Sequence, residues 1–143
     1  MTALAPLRLL AQDAEDLGVI SAALQDAVAK IGDIAFEPKA RRLTVAFNRY
    51  RWERDERTHE RVRTGLQLAG VLGVQSRKLR RDAKGAVVEL LSIGFEPGEA
   101  PGGAVVFTFA GGGDLRAEVE CIEVVLADVS TPWPTPRTPR HGD

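Results

Sequence analysis

Alternating apolar and polar positions dominate this chain, and one short stretch of helical spacing comes before them. Leu17, Ile20, Ala23 and Leu24, with Ala27 a turn further on, recur at i, i+3, i+4 and i+7, the signature of an amphipathic helix. Asp13 precedes the run as an N-cap, with Asp16 three residues on as a carboxylate version of the capping box. The spacing predicts a helix over about 14–25, with an acidic first turn suited to the positive end of its dipole. Before it, Leu7 to Ala11 follows Pro6 and reads as a first strand at a sheet edge.

The rest of the pattern is β. Val28, Ile31, Ile34 and Phe36 surround the turn signal Gly32-Asp33, and 37–40 is a second turn. From Arg41 to Trp52, Leu43, Val45 and Phe47 alternate with polar neighbours, as in a half-buried strand. Residues 53–60 (ERDERTHE) contain no apolar side chain and read as a solvated loop or hairpin tip. Arg61 to Ser76 resumes the alternation, with Gly65, Gly70 and Gly73 as candidate bulges or bends. A basic turn at 77–85 leads to 86–95 (AVVELLSIGF), apolar on both faces as in a central strand, and then to a Pro/Gly loop at 96–103.

Residues 103–130 read as one long hairpin around Gly111-Gly112-Gly113. After the glycines the apolar set occupies odd positions up to Cys121 and even positions from Ile122. A one-residue slip in a period of two turns every side chain over, so a bulge or strand bend is expected near 121–123. Cys121 falls on the apolar phase, which predicts a small buried side chain. The last thirteen residues, 131–143, hold four prolines and read as a tail, with Trp133 tucked against the domain. Together these elements predict an α+β fold: a mostly antiparallel curled sheet or small barrel of about 6–7 strands with one N-terminal helix, in a single domain over 1–130 followed by a Pro-rich tail over 131–143. By strand count a pleckstrin-homology-like barrel is an analogy, without the usual C-terminal helix.

Composition changes this picture little. A chain of 143 residues with 44% apolar and 27% charged side chains is an ordinary globular domain. One cysteine allows no internal disulfide and fits a reducing compartment. No apolar run approaches the roughly 20 residues of a membrane span, and the N-terminus lacks the form of a signal peptide; a cytoplasmic location is expected.

Charge distribution changes it more. The net charge is −1, yet residues 38–84 carry 14 basic and 5 acidic side chains, a balance of +9, between flanks at −4 and −6. Arg49, Arg51, Arg54, Arg57, Arg61 and Arg63 flank one loop with Tyr50 and Trp52 interleaved; Arg77, Lys78, Arg80 and Arg81 flank another. Ion pairing with Glu53, Asp55, Glu56 and Glu60 would make this a solvated face. If the two ends lie together they form a positive, partly aromatic patch for a nucleic-acid backbone, a phosphorylated ligand or an acidic protein surface.

Other chemistry is sparse. His59 and His141 have no metal-ligand spacing to each other or to Cys121, and no nucleophile motif surrounds the cysteine. The Gly111-Gly113 run lacks the Lys-Ser/Thr of a phosphate loop and reads as turn chemistry. Glu118, Glu120, Glu123 and Asp128 read as a solvated acidic face. No catalytic residue, metal site or cofactor is therefore assigned.

Three segments carry a family resemblance: DAEDLGVISAALQDAVAKIGDIAFEP, the strand ending FNRYRWE, and IGFEPGEAP with VFTFAGGGDLRAEVECIEVVLADVSTPW. Over residues 7–133 the chain resembles the bacterial domain-of-unknown-function family 2948. The resemblance implies a small single-domain bacterial protein and supplies no site; Asn48, Arg49, Trp52 and Asp128 belong to those segments.

The function expected from the residues is a non-enzymatic binding or adaptor module with Asn48, Arg49, Arg51, Trp52, Arg63, Arg77, Arg80 and Arg81 as the basic surface for an anionic partner. The alternative is a small-molecule binder or enzyme with a pocket inside the curled sheet, suggested by the doubly apolar strand 86–95 beside 115–128. A homo-oligomer pairing its edge strands is a third reading, since isolated β-domains must protect their edges.

Overall fold

The computed structural model describes residues 6–52 and 59–135. Strand β1 (Arg8–Ala11) leads into helix α1 (Ala14–Ala23). The expected N-cap forms: Asp13 is extended and its carboxylate accepts from the Asp16 N–H at 2.8 Å, satisfying one donor that the first helical turn leaves open. Leu17 and Ile20 make the buried face of the helix.

The strands follow as β2 (Val28–Lys30), a 3-10 turn at Ile31–Asp33, β3 (Ile34–Glu37), β4 (Arg42–Tyr50), β5 (Glu60–Leu68) and β6 (Val71–Arg77). After the basic loop come β7 (Val87–Pro97), β8 (Gly103–Phe109), β9 (Asp114–Val119), β10 (Val124–Asp128) and the two-residue β11 (Trp133–Pro134). Every pairing is antiparallel. One helix on a mostly antiparallel curled sheet is the α+β architecture expected, but the described residues form 11 strands instead of 6–7. Alternation counts apolar runs, and here single runs divide where the hydrogen-bond partner changes. The run 61–76 becomes β5 and β6, and 103–130 becomes β8, β9 and β10.

The sheet runs β1-β10-β5-β4-β2-β7-β8-β9-β6, so β5 is third and β6 ninth. Yet only Ala69 and Gly70 connect them, and the three Cα steps from Leu68 to Val71 reach at most about 10–11 Å. The sheet must therefore curl until its last strand returns to its third. Backbone bonds close that corner: Ala69 N–H donates to Glu123 O at 3.0 Å, and Val71 N–H to Arg41 O at 2.8 Å. The hydrogen-bonded path stays open between the edges β1 and β6, so this is a curled sheet and not a closed barrel. Phe47, Leu66, Leu90, Phe107 and Leu126 fill the inside, with α1 packed on β7 and β1.

Five expectations need correction. β7 is central, between β2 and β8, but it is not covered on both faces: Val87 and Leu91 are 60% and 46% exposed. A register shift between Leu90 and Ser92 moves the inward set from Val88 and Leu90 to Ile93 and Phe95, so its apolar run is two phases joined by a bulge. The hairpin of 103–130 extends only to Val119; its turn uses left-handed glycines, Gly111 at φ 89° and Gly112 at φ 95°. The phase slip at Cys121-Ile122 is the end of a strand. The chain leaves β9, which pairs with β8 and β6, and enters β10, which pairs with β1 and β5. Cys121 therefore lies in a connection and is exposed. Gly65, another candidate bulge, stays in register opposite Ala46 and Ala127.

Trp133, in β11, pairs opposite Arg61 at the start of β5. Of the loop expected over 53–60, residues 53–58, with Arg54 and Arg57, lie outside the described residues, and Glu60 already belongs to β5; the tail beyond residue 135 also lies outside them.

Candidate functional site

The basic residues separate into two groups, and the alternation of β4 decides much of the first. Leu43, Val45 and Phe47 put odd positions on the core face, which carries Arg49 inward as well, to 0% exposure. A buried guanidinium requires a partner, and Asp128 supplies it. Arg49 Nε donates to Oδ1 at 2.9 Å and Nη2 to Oδ2 at 2.8 Å. Asp128 also accepts from the Thr64 hydroxyl at 2.8 Å and the Leu7 N–H at 2.8 Å. Burial pushes the Asp128 carboxyl up, but the bonds from Arg49, Leu7 and Thr64 outweigh it and hold it below the usual carboxylate range. Both groups are consumed by structure. Arg51, 3% exposed, is likewise turned inward and donates from Nη1 to Glu60 Oε1 at 3.0 Å.

The opposite face of β4 and β5 carries Asn48 paired with Arg63, and Tyr50 paired with Arg61. Arg63 donates to Asn48 Oδ1 at 3.3 Å and to Asp33 Oδ2 at 2.9 Å. Arg61 donates to Asn48 O at 3.2 Å; burial lowers its pKa although Glu89, Asp26 and Tyr50 pull the other way. The Tyr50 hydroxyl shares a hydrogen bond with His59 Nδ1 at 2.7 Å, and its ring meets Trp52 edge-on at 4.8 Å. Trp52 in turn donates from its indole to Gln25 O at 3.3 Å. Asn48, Trp52 and Arg63 thus share this end of the sheet, while Arg49 and Arg51 are withdrawn from it. The cations here are matched by Asp26, Asp33 and Glu89, so the face is a hydrogen-bonded network near charge balance.

The second group is different. Arg77, at the end of β6, grips Asp114 with Nη2 to Oδ2 at 2.6 Å. These hydrogen bonds raise the Arg77 pKa and lower that of Asp114. The loop beyond exposes Lys78, Arg80, Arg81 and Lys84, with Asp82 as the only acid among them. None of these four cations has an ion-pair partner among the described residues.

The loop is held firmly for an exposed segment. Internally, Ala83 N–H donates to Arg80 O at 2.9 Å and Ala86 N–H to Ala83 O at 2.9 Å. At its far end Ile31 N–H donates to Ala86 O and Gly32 N–H to Lys84 O, both at 2.9 Å. Two glycines permit the contacts. A Cβ on Gly32 would lie 3.1 Å from Lys84 O, and one on Gly113 only 2.6 Å from Leu79 Cδ2. The 3-10 turn at 31–33 thereby stands between the two basic groups, Asp33 holding Arg63 while Gly32 abuts Lys84.

Beside this loop a cavity of about 270 Å³ opens into the curl of the sheet. Most of its lining side chains are apolar: Ile34 and Phe36 from β3, Val74 from β6, Leu79 from the loop and Leu115 from β9, over Ile31 and Leu43. Its polar lining is Ser76, Arg81 and Lys84, and the two cations are exposed at the mouth. Of the strands that suggested a pocket in the sequence, only Leu115 takes part. Arg81 was legible as a candidate; Lys84, Leu79 and Gly113 were missed. The basic count of 38–84 included Lys84 without giving it a place, and Gly113 read only as a turn residue.

Among the described residues no three His, Cys, Asp or Glu side chains gather as a metal site. Nor is any helix among them long and apolar enough to cross a membrane.

The chain belongs to the family described as protein of unknown function (DUF2948), whose model matches residues 7–141. No curated protein and no solved structure matches it.

Proposed function

We propose that this member of the family is a non-enzymatic binding module that takes an anionic partner on the loop 78–84. The observation that carries the proposal is a local excess of cations: Lys78, Arg80, Arg81 and Lys84 are exposed beside one acid, Asp82, and no described carboxylate forms an ion pair with any of them. Elsewhere Arg41, Arg42, Arg49, Arg51, Arg63, Arg77 and Arg116 each meet a carboxylate; Arg8, Lys30 and Lys39 are also exposed without an ion pair, but the loop gathers four such cations within seven residues. A loop tied by its own backbone bonds holds its cations with less ordering cost on binding than a mobile one. Arg80 and Arg81 therefore remain in the binding set; Arg49 and Arg51 leave it, because each is buried against its own carboxylate.

Binding is favoured over turnover by the lining of the adjacent cavity. It offers a hydroxyl and two cations, with no carboxylate, imidazole or thiol to move a proton or attack a substrate.

The test is a nuclear magnetic resonance titration with inorganic phosphate at constant ionic strength. Saturating shifts confined to the amides of 78–85, and abolished by Arg80→Ser/Arg81→Ser/Lys84→Ser, are expected. Shifts spread evenly over the protein, or unchanged in the triple variant, would overturn the proposal.

A further inference from the structure

Resting on that reading of the loop, we infer that the partner is a small amphipathic anion whose head meets Arg81 and Lys84 and whose apolar body enters the cavity. Two of the loop cations belong to the cavity: Arg81 and Lys84 are in its lining, and its other lining side chains are apolar apart from Ser76. An apolar recess with a few convergent polar groups at one end is the form of a small-molecule site. Here those groups are all donors, two of them cationic, so the matching head is a carboxylate or phosphate with its oxygens toward the mouth.

Size and surroundings narrow the class. At about 270 Å³ the recess lies near the lower end of small-ligand pockets, about 300–1,000 Å³. That suits a medium acyl chain or a single substituted ring. A polyanion would need cations continued along a track. The neighbouring arginines do not offer one: Arg77 is bound to Asp114, Arg63 to Asp33 and Arg41 to Glu120.

Leu79 connects body to head. It lines the recess two residues before Arg81, and Arg81 N–H donates back to Leu79 O at 3.1 Å. Gly113 leaves no space for even a methyl group behind Leu79, so the apolar wall and the cation are set by one tight turn. Ser76 lies opposite Leu115 in the β6–β9 register, which places a hydroxyl among the apolar walls as a further donor for the head.

The experiment compares probes that share a body or share a head, on the full chain at constant ionic strength. Octanoate is expected to shift the methyls of Ile34, Leu79 and Leu115 together with the amides of 78–85, along one saturation curve. Octanol should bind about ten- to a hundredfold more weakly, the worth of the charge-assisted contacts it lacks, and octylammonium weaker still. Acetate and inorganic phosphate should shift the loop amides without the methyls. Val74→Phe, a filling change on an edge strand, should remove octanoate binding and keep the phosphate response. Arg81→Ser/Lys84→Ser should bring octanoate down to octanol. Acetate matching octanoate, with methyls unmoved, would overturn the amphipathic ligand while leaving the anion-binding loop intact. Octanol matching octanoate would overturn the role of the cations in this cavity. Silence of the loop toward every anion would overturn the loop itself.

Discussion

Arg49 and Asp128 stand 79 residues apart in sequence and meet through two parallel hydrogen bonds of 2.9 and 2.8 Å, both side chains almost fully buried. The pair ties the end of β4 to the end of β10, with β5 between them contributing Thr64. Breaking it from one side leaves a buried charge unpaired. Asp128→Ala is expected to cost about 3–5 kcal/mol, read as a lower urea midpoint. The apolar double variant Arg49→Met/Asp128→Leu should be more stable than either single change, because it removes both desolvated charges together.

The same pair sets an acid limit. The folded Asp128 pKa lies below its ordinary value of 3.8, so the folded state binds its proton less readily than the unfolded chain does. The stabilisation is then fully present above the unfolded carboxylate pKa. It falls away as pH drops through that value and down to the lowered folded pKa. In Asp128→Asn, stability measured by urea unfolding between about pH 5 and pH 2 should decline less steeply with acid than in the parent.

Gly113 controls how the loop sits. A methyl group there would come 2.6 Å from Leu79 Cδ2 and 3.0 Å from Lys78 O, so Gly113→Ala must displace the loop. A destabilisation of about 1–3 kcal/mol is expected for such overpacking, seen as a lower Tm. Amide shifts should concentrate at 78–81. A Tm equal to the parent, with an unmoved loop, would show that the contact is slack.

Cys121 is expected to react under native conditions. It is exposed in the connection from β9 to β10, so a thiol reagent such as Ellman's should titrate it completely without denaturant, at a rate that added urea raises little. Protection in the native protein would return it to the buried place its strand phase predicted.

Much of the architecture was legible because it is local. The Asp13 cap, the Leu17/Ile20 face, the Leu43-Val45-Phe47 alternation and the Gly111–Gly113 turn depend on spacing and backbone preference within a few residues. The phase flip at 121–123 was also written in the pattern, although only the fold separates a bulge from a strand end; the register shift at 90–92 was hidden in a run that read as apolar on both faces.

Side-chain fate along β4 was legible in part. Period two carries Arg49 to the core face as surely as Phe47, but charge argued for the surface. What resolved the conflict was Asp128, brought in by β10 across the sheet. Residues so distant pair only when the strand order places them together, and no spacing rule encodes that order.

The candidate site belongs to the same division. The amino-acid order alone determined a basic middle third, a basic turn at 77–85 and an apolar strand on either side. Tertiary structure decided which cations keep no carboxylate, and it set Arg81 and Lys84 at the mouth of an apolar recess. The reason is physical: ion pairing and cavity walls are properties of neighbours in space. Here the neighbours come from β3, β4, β6 and β9, which the curl of the sheet gathers around one loop.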